Sequence, residues 1–424
     1  MVRIYALFFS VFSYFQFTEI QTEAESRRLM AASFHSDLSR FSALDVARAK
    51  AWPKVELHLH LDGSLSPEFI AKRATIRSVL YKHQHQHTYH SHDIPRGIQL
   101  PASPERLRAW LMEKKLAKYR KDDNKAEAGG NWPVFDWANQ FLQTRTELSE
   151  ATLDLLTRLA EDGVIYAEIR FCPDLHTLEG LTPDQAVEAV IAGFRGQSQV
   201  LGGVILVALR SKPEQHSLDT ARLASKYLQR SAADRPGVVG MDVAGDEGSF
   251  PLASDTDPMA AGLREAARLG IPITVHAGEW PEKFGSLENL RWAVNNNVSR
   301  RIGHAVAVRS DPALARIMRE RNITVEVCLT SNIGNGYKVR DYSVHPVRLL
   351  AEAGASFSLS SDNLLLSGDS EHAAAPTAEL LHLVHDVGLG WPAARRSVLS
   401  GLGAAFSPSV TQAFRDRAES MMPL

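Results

Sequence analysis

At 424 residues, 44% hydrophobic and 23% charged, the chain is too long for a small disulfide module and has the balance of a globular protein with a sizeable core. Forty-seven basic against 49 acidic side chains leave a formal charge of −2, so no global field exists to hold polyanions and nucleic acid is not an expected partner. Only two cysteines, Cys172 and Cys328, are present, which excludes a disulfide scaffold and a cysteine-rich zinc finger; any metal must be held by His, Asp or Glu, and sixteen histidines are available.

From Ile4 to Phe17 the chain is almost wholly apolar and follows Arg3, while Thr22-Glu23-Ala24 offers small residues at a cleavage point. Residues 1–24 therefore read as a signal-like segment, with 25–50 as a leader. The apolar stretch is shorter than the ~20 residues of a spanning helix, so no integral membrane segment is expected. The rival reading is an upstream extension with Met30 as a second start, and the lack of a disulfide framework leans towards the cytoplasm over secretion. Residues 83–92, HQHQHTYHSH, hold five of the histidines in one polar run. Such a composition suits a surface insertion better than a metal site. Glu113 to Glu127 carries both signs of charge and continues that polar insertion, which covers about 83–131.

Beyond residue 50, short apolar runs alternate with longer amphipathic stretches, the signature of βα units and a mainly parallel sheet. Eight strands are predicted in order: Val55–His60, Val164–Phe171, Gly203–Leu209, Val238–Val243, Ile271–His276, Arg301–His304, Ile323–Cys328 and Ser356–Ser361. Helical patterns fall at Leu153–Leu159, Thr182–Arg195, Met259–Leu269, Pro312–Arg319 and Val344–Ala353. Eight strands fit a closed (β/α)8 barrel over residues 51–424, although a doubly wound open sheet fits the alternation too. Polar residues at the C-terminal ends of several strands favour the barrel, whose reacting groups come from that rim. The first strand closes on His58 and His60, the fifth on His276 with Glu279 just after, the sixth on His304, and the eighth on Asp362 and Asn363.

Side chains two apart on a strand share a face, so His58 and His60 can reach one ion while Leu59 packs behind. His276 and Asp362 add a third nitrogen and one carboxylate oxygen, leaving a position for water, as a catalytic zinc site requires. Zinc lowers the pKa of such water towards ~7. Glu279 then stands where a general acid or base is needed, and His304 is free to orient the water, accept its proton or stabilise developing charge. Taken alone, Glu279 is equally suited to capping a following helix.

Six segments together resemble the adenosine deaminase family of the amidohydrolase superfamily: Lys54-Val-Glu-Leu-His-Leu-His-Leu-Asp-Gly-Ser64, Val243-Ala-Gly-Asp-Glu247, His276-Ala-Gly-Glu279, Arg301-Ile-Gly-His304, Thr330-Ser-Asn332 and Ser361-Asp362-Asn363. The resemblance runs from about Lys54 to the C-terminal region and includes Arg96-Gly-Ile-Gln-Leu-Pro101. It implies one Zn2+ per chain on His58, His60, His276 and Asp362, and a purine nucleoside as the small-molecule partner. It further implies that Glu279 protonates purine N1, that His304 stands beside the metal-bound water, and that Gly245 offers its backbone to the purine. Asp62 would contact the ribose, His60 would also border the substrate, and Asn363 would face N7. The implied reaction is hydrolytic deamination of adenosine and 2′-deoxyadenosine.

Two positions depart from the family pattern. Asn363 stands where a second aspartate is common, and its amide can donate to N7 without first being protonated. Ala305 follows the catalytic histidine where glycine is usual, so its methyl is expected to narrow the pocket or shift His304. Alternative expectations are a sister deaminase acting on adenine or N6-methyl-AMP, and a secreted adenosine-binding or signalling protein on the same fold. Asp62 favours a nucleoside, because relatives acting on the free base resemble this motif with Glu there. Oligomeric state is not legible.

Overall fold

The computed structural model describes residues 38–73, 132–231, 236–280, 285–333, 338–367 and 374–423. The signal-like segment, the histidine-rich run and the Arg96–Pro101 motif lie outside these. Among the described residues eight strands are present: β1 Lys54–His60, β2 Val164–Phe171, β3 Leu201–Leu209, β4 Val238–Ala244, β5 Thr274–Ala277, β6 Arg301–His304, β7 Thr324–Val327 and β8 Ser356–Leu359. All neighbours pair in parallel, in the runs β1-β2-β3-β4 and β5-β6-β7-β8.

Two bridges join the runs and decide between open sheet and barrel. Met241 pairs with Ile273, its N–H donating to the Pro272 carbonyl at 2.9 Å. Leu59 pairs with Asp362; His60 N–H donates to the Asp362 carbonyl at 2.8 Å, and Asp362 N–H to the His58 carbonyl at 2.9 Å. The sheet is therefore closed, and the last strand delivers Asp362 beside the two histidines of the first.

Helices cover the outside. Thr182 caps Pro183–Arg195 with a reciprocal capping box to Gln185, and Thr144 does the same with Glu147 for Arg145–Glu161. Each cap satisfies end N–H groups that would otherwise be orphaned, contributing about 1 kcal/mol. Among the described residues no helix is long and apolar enough to cross a membrane.

Inside the barrel the strands carry charge as well as apolar side chains. Arg170, Asp242, Arg301, Glu168 and Glu326 are all fully buried. Buried charges are tolerated only when paired, and here Arg170 lies 2.7 Å from Asp242 and 2.8 Å from Glu326, while Arg301 lies 2.5 Å from Glu168 and 2.8 Å from Glu326. This layer sits directly beneath the strand ends that hold the histidines.

Candidate active site

His58 and His60 project from the end of β1, with Leu59 fully buried behind them. His276 ends the apolar part of β5, His304 closes β6, and Asp362 follows β8. The structure brings these five together with Glu279. Donor atoms of His58, His276 and His304, of His58, His60 and Asp362, and of Glu279, His304 and Asp362 form three overlapping groups, each within 4.8 Å.

The partners of each ring show which nitrogen is free. His58 Nδ1 meets Glu326 Oε2 at 2.7 Å and His276 Nδ1 meets Asp242 Oδ2 at 2.9 Å. These carboxylates accept hydrogen bonds from the two Nδ1–H groups and leave a lone pair on each Nε2, the arrangement by which outer partners prepare histidine ligands. His58 Nε2 is buried and has no hydrogen-bond partner. His60 Nε2 and His276 Nε2 stand 3.3 Å apart, and Asp362 Oδ1 is 3.5 Å from both His58 Nε2 and His60 Nε2. Donors on a tetrahedron with metal bonds of about 2.05 Å lie about 3.3 Å from one another, so these separations suit atoms sharing one ion better than atoms bonding to each other. The residues present thus fit a single divalent metal.

The strand ends are locally strained in order to present these groups. His304, Ala305 and Asp362 have φ of 66°, 49° and 61°, left-handed values that cost non-glycine residues about 1–3 kcal/mol each and concentrate at functional sites. Glycine at 305 would be unstrained. The Ala305 methyl is packed in the hydrophobic core, and its N–H donates to the Ala277 carbonyl at 3.2 Å, so the cost of this departure falls on the backbone. Gly303 is required for space: a Cβ there would stand 2.8 Å from His58 Cε1.

Among the described residues the next helix, Ser286–Asn295, has Gly285 and not Glu279 at its N-cap. The Glu279 carboxylate instead lies 3.7 Å from His304 Nε2 and in direct contact with the ammonium of Lys338. Burial would raise the Glu279 pKa, but His304 and Lys338 pull it the other way, to about 2. Burial lowers His304 to about 3 against the opposing pull of Glu279. Ser331 Oγ donates to Asp362 Oδ2 at 2.6 Å, fixing the carboxylate.

The remaining predicted positions surround this cluster. Asp62 is buried, which raises its pKa to about 6, and its Oδ1 accepts from the Gly63 N–H at 3.1 Å, so it organises its own turn. Asn363 is buried with its Oδ1 unpaired. Gly245 has φ of 117°, which favours glycine, and a Cβ there would meet the Arg210 backbone N at 3.5 Å, ordinary contact; conformation rather than crowding by the protein selects glycine. Arg210 in turn donates to the His276 carbonyl at 2.5 Å, tying the end of β3 to the His276 strand.

Sequence reasoning named the donors and missed what orients them. Asp242 and Glu326 are single acids inside the apolar runs of β4 and β7, and a lone charge in a strand buried on both faces was the available signal. Lys338 carried none, since it enters from a loop.

A closed parallel barrel with a His/Asp metal cluster at its strand ends, and a carboxylate and an imidazole beside it, defines a metal-dependent hydrolase of the amidohydrolase class. The family model described as "Adenosine deaminase" matches residues 96–408. The chain is 30% identical over 327 residues to an adenosine deaminase of Enterococcus faecalis, covering 76% of this chain and 84% of the relative. It belongs to the adenosine deaminase family. Among solved structures it resembles the apo N6-methyl-AMP deaminase of Arabidopsis thaliana, with a TM-score of 0.66 at 20% identity over 89% of this chain and 98% of that one. It also resembles a Burkholderia ambifaria amidohydrolase with bound Zn, with a TM-score of 0.69 at 19% identity over 90% and 94% of the two chains. At these identities the likeness concerns the fold.

Proposed function

We propose that this protein is a zinc-dependent deaminase that hydrolyses adenosine and 2′-deoxyadenosine to the corresponding inosine products and ammonia. The observation that carries the reading is the donor cluster itself, spaced as the edges of a metal tetrahedron and flanked by Glu279 and His304. Zinc would be held by His58, His60, His276 and Asp362, a three-nitrogen, one-oxygen set that suits it, and the Burkholderia amidohydrolase of similar fold has bound Zn. When bound, the ion supplies the Lewis acidity that makes water a nucleophile near neutral pH.

The chain's own groups do the rest. Gly245 presents backbone to the purine, Asn363 donates its amide to N7, and Asp62 takes the ribose, with His60 bordering the substrate. Glu279 delivers a proton to N1, which withdraws electrons from C6. Because the Lys338 ammonium holds it ionised, Glu279 reaches its acid form by taking up a proton as the substrate enters. The nucleoside reading rests on Asp62 and on the adenosine deaminase relative at 30% identity.

The test is absorbance loss in the purine band with zinc-loaded protein, run side by side on adenosine, 2′-deoxyadenosine, adenine and N6-methyl-AMP. Adenosine and its deoxy form should have the highest kcat/KM, and Glu279→Gln should lower kcat by roughly 10²–10⁴-fold. A preference for N6-methyl-AMP or adenine replaces the substrate assignment. Zinc binding with no turnover of any aminopurine removes the enzymatic one.

A further inference from the structure

Asn332 and His345 stand outside the metal cluster, and the direction of every hydrogen bond along them follows from one backbone amide. The Val347 N–H can only donate, and it meets His345 Nδ1 at 3.1 Å. That nitrogen therefore carries the lone pair and His345 Nε2 carries the ring proton. His345 Nε2 lies 3.2 Å from Asn332 Oδ1, so the ring donates to the amide oxygen. The carboxamide orientation is then set, and its NH2 faces His304 Nδ1 at 3.0 Å. A nitrogen that receives this donor bears no proton, which leaves the His304 proton on Nε2, the atom that looks towards Glu279. All three side chains are buried, so water does not compete for these bonds. Burial, reinforced by Arg309, also lowers His345 to about 3 and keeps its ring neutral.

We propose that His345 and Asn332 are positioning residues that lock His304 as its Nε2–H tautomer, so that it serves the reaction as a hydrogen-bond donor and not as the acceptor of water's proton. The backbone supports the same orientation: His304 sits at a φ of 66° in a strained turn, and Asn332 holds the ring's far side. Of the roles open to His304 from its position in the sequence, orienting water and stabilising developing negative charge remain. The kinetic consequence rests on the deaminase reading; the tautomer does not.

The experiment uses full-length, zinc-loaded protein labelled with 15N-histidine, with the His304 resonances identified by their loss in His304→Asn. Long-range 1H–15N correlation should show an unprotonated Nδ1 and a protonated Nε2 at His304. In Asn332→Asp the carboxylate accepts from both rings, so the His304 pattern should invert while size and shape are kept. Forcing a catalytic histidine into the wrong tautomer in this way lowers kcat by up to about 10⁴-fold, so adenosine turnover by Asn332→Asp should fall by about 10³–10⁴-fold with KM little changed. His345→Gln, which still donates to Asn332, should lose less activity than His345→Leu. A protonated Nδ1 at His304 in the parent, or a parental kcat in Asn332→Asp, overturns the proposal. If the parent turns over no adenosine, the deaminase reading fails and the NMR pattern still decides the tautomer.

Discussion

In the barrel interior, Arg170 and Arg301 each touch two carboxylates within 3 Å, and Glu326 is shared between them. At the mouth just above, the same Glu326 holds His58 by Nδ1, yet His58 Nε2 makes no hydrogen bond, and the Nε2 atoms of His60 and His276 face each other at 3.3 Å. Both regions are polar and buried. The interior pairs its charges, which fixes strand register and ring orientation, whereas the mouth leaves donors available, which costs stability unless an ion completes them. Three carboxylates pair with two guanidinium groups in this layer, and two of the three, Asp242 and Glu326, also hold the rings of His276 and His58 beneath the cluster, which favours a cation there.

The sharpest way to test this division is to remove the metal. Dialysis against a strong chelator should abolish deamination completely, and one equivalent of zinc should restore it, with circular dichroism unchanged throughout because the paired interior carries the fold. Collapse of the fold on chelation would show that the mouth is structural as well. The converse experiment is Arg301→Met, which removes the guanidinium paired with Glu168 and Glu326 and leaves Glu168 with only the neutral donors Tyr166 OH and the Phe406 N–H. It should cost about 3–5 kcal/mol in the urea unfolding midpoint, the range for breaking one side of a buried pair. An unchanged midpoint would mean the interior network does not hold the barrel.

Glu326→Gln probes the residue both regions share. Zinc affinity measured by competition with a chromophoric chelator should weaken roughly 10–100-fold, as for other partners behind a histidine ligand. A smaller effect belongs to a carboxyl removed from both layers. Glu379 accepts from the N–H groups of Leu329 and Thr330, and burial raises its pKa from 4.5 to about 7 in spite of those donors. A carboxyl raised on folding binds its proton more tightly in the native state, so its contribution is fully present below 4.5 and declines as pH climbs through about 7. Urea midpoints across that window should therefore fall less steeply in Glu379→Gln than in the parent; an identical slope would show that Glu379 is not the group responsible.

The strands were legible because a strand buried on both faces reads as a continuous apolar run. Even the ladder start of β5 at Thr274, later than the apolar run at Ile271, has a local cause: Pro272 has no N–H to donate and enters only through its carbonyl. The helix Glu214–Lys226 went unread for the opposite reason. Its buried face is Ser217, Thr220, Ala221 and Ala224, and it packs so closely on Gly262 that a Cβ there would stand 2.5 Å from Ser217 Cβ. Close packing of small and polar residues leaves no apolar periodicity to find. The single acids of β4 and β7 and the pair Asn332 and His345 were likewise visible as residues but not as partners.

Residue type and order along this chain already placed His58, His60, His276, His304 and Asp362 at or just after strand ends, with the chemistry a metal site needs. Which nitrogen of each ring is free, and whether His304 Nδ1 accepts or donates a hydrogen bond, depends on tertiary structure alone. Those choices depend on atoms brought within 3 Å from strands and loops far apart in sequence, and a hydrogen bond's direction belongs to the pair, not to either residue.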